Sequence, residues 1–251
     1  MNLTLTNEVD IVELKFEWTL YVSYGDTVGP YVQTTPPDAE QYHKIYVTLD
    51  TPEPPMNPPH LDILEISCDK AKGEGYTEWG VKTALLHGVY QYLDEELDYN
   101  AWEVHVTYNL FYQGNFNLSE FLDDGKGDCE DAACFYEICC AAQGITMYQN
   151  RVWDKQEPAE FLTTYLDPFG PTNGMNEYVF PFHQFCVTDW IYPGIGDPVG
   201  IVWDPTCKFL MSPIYVEGMV AVPDYRNHLV DIPWNEDLDW SIFQYSVTEV
   251  Q

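Results

Sequence analysis

The chain has 251 residues, 45% of them hydrophobic and 16% aromatic, so it can bury a core of its own and is not a disordered segment. Ten Lys and Arg face 41 Asp and Glu, and the formal net charge of −31 argues against nucleic acid or an anionic membrane surface as a partner. This charge is compatible with a basic peptide substrate, and equally with an acidic surface that serves only solubility.

Targeting signals are missing from the sequence pattern. No run of about 18 apolar residues predicts a transmembrane helix, and residues 1–4 lack the charged and apolar regions of a signal peptide. The seven cysteines are odd in number and irregularly spaced, which indicates mostly reduced, buried thiols. We therefore expect a reducing compartment, and a chain that is cytoplasmic or part of a larger polypeptide.

The first 67 residues are predicted to form β structure. Apolar and polar residues alternate in part from 9 to 24, and residues 42–49 form a second candidate strand. Proline clusters at 36–37 and 52–59 predict an extended arm, because proline cannot donate a hydrogen bond within a sheet. Residues 1–70 are thus expected to be a β segment or small β appendage with a proline-rich linker.

Helices are predicted in the middle of the chain. Residues 79–97 place apolar side chains at helical spacing over about five turns. A second helix is predicted from Cys129 to Gln143. It follows the chain-breaking Gly125 and Gly127 and stops at Gly144, a residue type common just after a helix.

Strands are predicted after the second helix, over residues 145–153, 179–192 and 200–204. The expected fold class is therefore α+β, with a helical part packed on an antiparallel sheet. We divide the chain into the N-terminal segment 1–70, a core over 71–214, and an extension over 215–251 that packs back on the core.

Three residue types with complementary chemistry follow one another along these elements. Cys129 begins a helix, where free N–H groups and the helix dipole favour a thiolate. His183 lies on one predicted strand and Asp204 ends the next, so neighbouring antiparallel strands can bring the two side chains together. A thiol, an imidazole base and a carboxylate that orients the imidazole form the set used in thiol-dependent acyl transfer.

The surrounding residues add a family resemblance. The blocks Gly127-Asp128-Cys129-Glu130-Asp131, Phe182-His183-Gln184-Phe185 and Val202-Trp203-Asp204-Pro205-Thr206 resemble the signature blocks of the transglutaminase-like superfamily, a branch of the papain-like thiol enzymes. The resemblance covers residues 76–210. It implies a papain-like cysteine proteinase fold and a peptidase or acyltransferase that acts on an amide bond of a protein or peptide.

The resemblance also implies roles for single residues. Cys129 is expected to be the nucleophile, His183 the base and acid, and Asp204 the residue that orients His183, with no cofactor and no metal. The backbone N–H of Cys129 is expected to donate to the oxyanion, together with an upstream donor for which Gln113 and Trp102 are candidates.

The sequence departs from the family pattern near the cysteine. Gln184 follows His183 at a position where an aromatic or small residue is usual. Five carboxylates crowd the cysteine and oppose its ionisation: Asp123, Asp124, Asp128, Glu130 and Asp131. Strong activation of the thiol therefore depends on His183.

Other interpretations of the same residues stay open. A zinc site built from Cys129, His183 and Cys207 is conceivable, although close-spaced ligand pairs are lacking. A non-catalytic binding or structural module of a larger assembly, retaining the transglutaminase-like fold, is the main alternative to an enzyme.

Overall fold

The computed structural model describes most of the chain between residues 8 and 250. The described ranges are 8–17, 20–22, 32–34, 40–56, 60–74, 77–99, 109–110, 115–154, 161–171, 173–191, 199–211, 214–221, 225, 229, 238–245 and 247–250.

The first half of the chain carries the helices. It runs through β1 (Asp10–Glu17), β2 (Leu20–Val22), β3 (Val32–Thr34), β4 (Glu40–Val47), α1 (Leu61–Lys70), α2 (Glu78–Glu96), β5 (Asp98–Tyr99), β6 (Asn109–Leu110), β7 (Asn115–Phe116), α3 (Leu118–Asp124), β8 (Lys126–Gly127) and α4 (Cys129–Ala142). β1 pairs with β4 in an antiparallel sheet of its own.

The second half of the chain is built from strands. It runs through β9 (Tyr148–Asp154), β10 (Phe161–Leu162), β11 (Leu166–Pro168), β12 (Val179–Phe180), β13 (His183–Ile191), β14 (Val199–Met211), β15 (Ile214–Ala221), β16 (Leu238–Tyr245) and β17 (Glu249–Val250). A central antiparallel sheet has the order β11-β14-β13-β9-β16, and β15 also pairs with β14. The expected α+β architecture, with helices packed on an antiparallel sheet, is observed.

Helix α4 lies in the middle of the molecule. It packs on β9, β13 and β14 with one side and against α1 and α2 with others. All 14 of its residues are buried, which its many alanine and cysteine side chains allow because they let neighbouring elements approach closely. The cysteine at its first position therefore sits on a helix that is enclosed by the rest of the protein.

The central sheet separates two hydrophobic cores. Cys186 and Trp203 belong to the larger core, which contains the apolar residues of α1, α2 and α4. Phe185, Val187 and Val202 belong to a smaller core on the opposite face. The division follows from the strand period of two, which points successive side chains to opposite faces of the sheet.

Helix α1 corrects the sequence analysis, which assigned residues 1–67 to β structure. Residues 61–70 are helical, and the buried positions Ile63, Leu64, Ser67 and Cys68 recur at helical spacing. The pattern spans less than three turns and follows the proline cluster, which obscured it. The proline-containing segment does not lie apart from the core either, since Glu53 N–H donates to the carbonyl of Ala141 at 2.9 Å.

The C-terminal residues complete the sheet. β15 pairs with β14, and β16 pairs with β9. The predicted core and the predicted C-terminal extension therefore share one sheet, and their division into separate ranges stays a prediction. Among the helices that the structure describes, none combines the length and apolar character needed to cross a bilayer.

Candidate active site

His183 and Asp204 form a buried pair on the central sheet. Cys186 pairs with Trp203 across β13 and β14, and this register places His183 and Asp204 on the same face of the sheet. Their atoms Nε2 and Oδ2 are 2.9 Å apart, and both side chains are fully buried. A carboxylate only accepts hydrogen bonds, so Nε2 carries a proton and donates it to Asp204.

The carboxylate of Asp204 has a donor for each oxygen. The backbone N–H of Thr206 donates to Oδ1 at 2.9 Å, and the hydroxyl of Tyr225 donates to Oδ2 at 2.7 Å. Oδ2 thus accepts from His183 and from Tyr225 together. These bonds hold the carboxylate in one orientation and compensate for the loss of water around it.

The other ring nitrogen of His183 is available as a base. Within the described part of the chain, the buried Nδ1 has no hydrogen-bond partner. Phe180 stacks on the imidazole with a centroid distance of 5.4 Å and an interplanar angle of 11°, which restrains the ring plane. With the proton on Nε2, the lone pair of a neutral imidazole is on Nδ1, as a general base requires.

Cys129 is the first residue of α4 and follows a complete N-terminal cap. The side chain of Asp128 accepts from the backbone N–H groups of Glu130 and Asp131 at 2.8 and 3.2 Å. Asp131 in turn accepts from the backbone N–H of Asp128 at 3.2 Å, which completes a capping box. Asp131 therefore braces the helix start.

The packing of α4 on the sheet brings Cys129 to the start of β13. The thiol of Cys186 donates to the carbonyl of Ala133 at 3.2 Å, which joins the helix to this strand. One helical turn before Ala133 lies Cys129, and three residues before Cys186 lies His183. The backbone N–H of Gln184, the residue after His183, lies close enough to the sulfur of Cys129 to stabilise a thiolate.

The thiol of Cys129 is nevertheless not pre-ionised in this state. Burial raises the pKa of Cys129 well above its usual value, and the charge of Asp128 adds to the increase. The N–H of Gln184 and the charge of Arg151 act in the opposite direction. Of the five carboxylates that the sequence analysis noted, Asp128 is the one whose charge contributes to this increase, and Asp204 adds to it.

Arg151 is a cation that acts on both Asp128 and Cys129, and it was missed by the sequence analysis. Its guanidinium pairs with the buried carboxylate of Glu130 and donates to Oε1 of Gln184 at 2.9 and 3.2 Å. It also lies 4.0 Å from the ring centroid of Phe182. The register of β9 and β13 explains the contact, since Arg151 is directly opposite Gln184. No local sequence motif marks such a pair.

Gln184 has a structural role in the interior of the protein. Its amide donates to Oε1 of Gln149, and the amide of Gln149 donates to Glu137 in α4. The carboxylate of Glu137 also accepts from the backbone N–H of Val247 at 3.1 and 3.2 Å. A buried polar chain therefore links the strand of His183 to the helix of Cys129.

Tyr99 is a further residue near the site that the sequence did not indicate. It lies in β5, opposite Gly127 of β8, and the centroid of its ring is 6.1 Å from that of Phe180. Burial raises the pKa of Tyr99 well above its usual value, and the charge of Asp128 adds to this increase. The phenol is therefore a protonated hydrogen-bond donor at neutral pH.

The site contains one group of potential metal ligands. His183, Asp204 and Cys207 offer ligand atoms within 4.8 Å of one another, a nitrogen, oxygen and sulfur set that suits zinc by type. However, Nε2 of His183 and both oxygens of Asp204 already form hydrogen bonds, which a cation would have to displace. We therefore interpret this group as a hydrogen-bonded pair with a neighbouring thiol. It also differs from the zinc set considered from the sequence, which included Cys129 in place of Asp204.

The predicted site residues thus divide into three groups. His183 and Asp204 are in direct contact, while Cys129 is next to Gln184 and forms no hydrogen bond to Nδ1 of His183 in the described structure. The oxyanion-hole candidates Gln113 and Trp102 lie outside the described residues. The catalytic roles of all five residues stay predictions.

Comparison with known proteins yields only distant likenesses. The chain matches no protein-family model and no curated protein. Among solved structures, Legionella pneumophila LapG is similar at 16% identity and a TM-score of 0.34, over 73% of this chain and 77% of LapG. A proposed cysteine protease from Cytophaga hutchinsonii is similar at 11% identity and a TM-score of 0.28, over 88% of this chain and 73% of that protein. Because both likenesses are distant, the chemistry of the site is interpreted from its own residues.

Proposed function

We propose that this chain is a transglutaminase-like cysteine enzyme, with a papain-like fold, that acts on an amide bond of a protein or peptide. The observation that supports this proposal best is the buried His183–Asp204 pair, at the start of the strand that approaches Cys129. Nδ1 of His183 has no hydrogen-bond partner among the residues that the structure describes. A histidine held only for packing needs no carboxylate partner with a full set of donors. A general base needs an orienting partner of this kind.

The proposed reaction proceeds through a thioester. The sulfur of Cys129 attacks the carbonyl carbon of the amide, and its proton passes to Nδ1 of His183. His183 then protonates the leaving amine as the C–N bond breaks. In the second half, His183 takes a proton from water or from an acceptor amine, which attacks the thioester carbonyl. As the C–S bond breaks, His183 returns this proton to the sulfur, and Cys129 is released as a thiol.

The raised pKa of Cys129 favours a particular form of this mechanism. A thiol that is neutral at rest must lose its proton during the attack, so His183 acts as a general base within the reaction step. Asp204 then stabilises the imidazolium that forms. A preformed thiolate–imidazolium pair, the form expected from the helix start alone, is less favoured because burial and Asp128 oppose it.

The substrate class follows from charge. The net charge of −31 attracts basic segments over distances comparable to the Debye length, about 10 Å at moderate salt. A basic protein or peptide is therefore the proposed substrate. Its turnover is expected to slow as ionic strength rises, and an unchanged rate between low and high salt would remove the argument for a basic substrate.

Alkylation of the folded protein tests the nucleophile. All seven cysteines are buried, but Cys129 retains 3% of its surface exposed whereas the other six show 0%. Iodoacetamide at pH 7 is expected to modify Cys129 first, as read by peptide mass spectrometry. Cys129→Ser is expected to abolish this modification, Cys139→Ser to leave it intact, and His183→Gln to slow it.

Trapping of the intermediate tests the reaction itself. A library of basic peptide amides is incubated with the enzyme and hydroxylamine, which converts a thioester to a hydroxamate. Hydroxamate that depends on Cys129 and His183 supports the acyl-enzyme, and the ratio of hydrolysed to transferred product separates a peptidase from an acyltransferase. Equal labelling of wild type and Cys129→Ser at pH 7, or labelling insensitive to His183→Gln, contradicts the proposal.

A non-catalytic binding or structural module is the second candidate. Two observations favour it: the raised pKa of Cys129, and the lack of a hydrogen bond from its thiol to Nδ1 of His183 in the described structure. A module of this kind predicts slow alkylation of Cys129 that does not depend on His183. It also predicts that His183→Gln changes stability without changing thiol chemistry.

A further inference from the structure

Tyr225 makes a contact that links a C-terminal segment to the candidate triad. Its hydroxyl donates to Oδ2 of Asp204 at 2.7 Å, and both side chains are fully buried. The same oxygen accepts from Nε2 of His183 at 2.9 Å. The two donors therefore compete for the charge of one carboxylate oxygen.

The position of Tyr225 is determined by packing on several sides. Its ring lies 4.9 Å from the ring of Phe185, a neighbour of His183 on β13. Leu229, four residues later, belongs to the same core, and its carbonyl accepts from the backbone N–H of Thr164 at 3.0 Å. The hydroxyl is thus held against Asp204 by its surroundings, so forming the bond costs little additional side-chain entropy.

The hydroxyl acts as a donor under all relevant conditions. Burial raises the pKa of Tyr225 well above its usual value, and the charge of Asp204 raises it further. A protonated phenol that donates to a carboxylate forms a short, charge-assisted hydrogen bond. Such a bond withdraws part of the negative charge that Asp204 otherwise offers to His183.

We propose that Tyr225 is a positioning residue of the site, which locks the orientation of Asp204 and limits the proton affinity that Asp204 confers on His183. The inference rests on the proposed function for its consequence in catalysis, but not for its effect on His183. Without the tyrosine hydroxyl, Asp204 interacts more strongly with a protonated imidazole. His183 then holds its proton at higher pH and is a poorer base near pH 7.

Other charged or titratable groups surround the same pair, and each stays unchanged when only the hydroxyl of Tyr225 is removed. They are Cys207 on β14, Asp128 and Cys129 at the start of α4, Arg151 on β9 and Tyr99 on β5. These groups therefore form a constant background against which removal of the hydroxyl is measured.

The test is the variant Tyr225→Phe, which keeps the ring that packs on Phe185. The matched control is Tyr178→Phe, since Tyr178 also stacks on an aromatic ring but donates to the backbone carbonyl of Gly174. The titration of His183 is followed by NMR of its ring in the full chain. Tyr225→Phe is expected to raise the midpoint, and Tyr178→Phe to leave it unchanged.

Alkylation of Cys129 gives the second readout. Tyr225→Phe is expected to slow it severalfold at pH 7, with the rate recovering toward the wild-type value at higher pH. In an Asp204→Asn background the Tyr225→Phe substitution is expected to have no further effect, because the carboxylate on which it acts is gone. A purely structural role predicts instead that the effect persists in that background.

The outcomes separate this inference from the proposed function. An unchanged His183 titration in folded Tyr225→Phe overturns the role of Tyr225 and leaves the proposed function standing. Failure of wild-type Cys129 to react in a His183-dependent way overturns the proposed function, whereas the NMR titration still tests the tyrosine. If Tyr225→Phe does not fold, fluorotyrosines of different acidity are placed at position 225 instead. A midpoint of the His183 titration that does not change with the acidity of the phenol overturns the inference.

Discussion

Gln149 of β9 donates its side-chain amide to the carboxylate of Glu137 in α4, between the central sheet and the helix that carries Cys129. Both side chains are buried. Gln149 also accepts from Gln184, and its amide lies 3.2 Å from the sulfur of Cys134. This one amide therefore satisfies a buried carboxylate and a buried amide from two different elements.

Removal of that amide is expected to destabilise the fold strongly. Gln149→Leu leaves the charge of Glu137 and the amide of Gln184 short of a partner in the interior, and we expect a loss of about 3 kcal/mol in the free energy of unfolding. Urea denaturation measures the loss. The control Gln91→Leu removes an exposed Gln–Glu bond of 2.8 Å on α2 and is expected to cost less than about 0.5 kcal/mol. Equal losses in the two variants would contradict a stabilising role for the buried chain.

Asp128→Asn is expected to make Cys129 more reactive. The charge of Asp128 raises the pKa of the thiol, and asparagine removes that charge while its side-chain oxygen can still cap α4. The pH at which alkylation reaches half of its maximal rate should therefore fall. Asp123→Asn serves as the control, because Asp123 is exposed and is not among the groups that shift the thiol. A midpoint that stays the same or rises in Asp128→Asn would show that the carboxylate does not act on the sulfur.

The stability of the protein is expected to depend on pH through the same carboxylate. Burial raises the pKa of Asp128 from 3.8 to about 6, against the opposing hydrogen bond from Asp131 N–H and the charge of Arg151. Between these two values the folded state holds the proton more tightly than the unfolded state, so this group's contribution to stability falls as the pH rises and is constant above the folded value. We therefore expect the unfolding free energy of wild type, relative to that of Asp128→Asn, to be lower at pH 7 than at pH 4. A relative stability of wild type that is higher at pH 7 than at pH 4 would mean that the fold favours the charged form of Asp128.

Two glycines with positive φ offer a matched test of packing at the end of α4. A Cβ on Gly144, where φ is +76°, would lie 2.7 Å from both Cβ of Asp50 and the carbonyl oxygen of Thr51. Gly73 has a φ of +82° but has open space around the same position. We expect Gly73→Ala to cost about 1 kcal/mol through backbone strain and Gly144→Ala about 3 kcal/mol through strain and overlap. Thermal or urea unfolding compares the stability of the two variants. Similar losses would mean that the chain at Asp50 shifts to accommodate the added methyl group at little cost.

The cysteine helix and the pair on the sheet were accessible from the sequence for local reasons. Glycines flank the helix, its small residues fit a buried position, and Asp128 is a usual capping residue. Strand alternation then put His183 and Asp204 on neighbouring strands. These features depend on residues close in sequence, and the structure places the elements where they were expected.

The remaining parts of the site depend on contacts between distant residues. Tyr225 reaches Asp204 from 21 residues away, and its surrounding sequence has no pattern that points to the site. Arg151 meets Gln184 only because β9 and β13 pair in one register. A slip of β9 by one residue would turn Arg151 to the opposite face of the sheet from Gln184. The register is determined by the packing of the complete sheet, which a single sequence does not reveal.

The position of Glu137 in α4 has a consequence for the order in which the protein can assemble during synthesis. Its carboxylate is bonded by Val247 N–H, and Asp204 is bonded by Tyr225, so both contacts wait for residues translated long after the cysteine helix. A nascent chain that ends before residue 225 holds Cys129, His183 and Asp204 but lacks both partners. The thiol chemistry of this protein is therefore expected to mature only after residues 225 and 247 have left the ribosome.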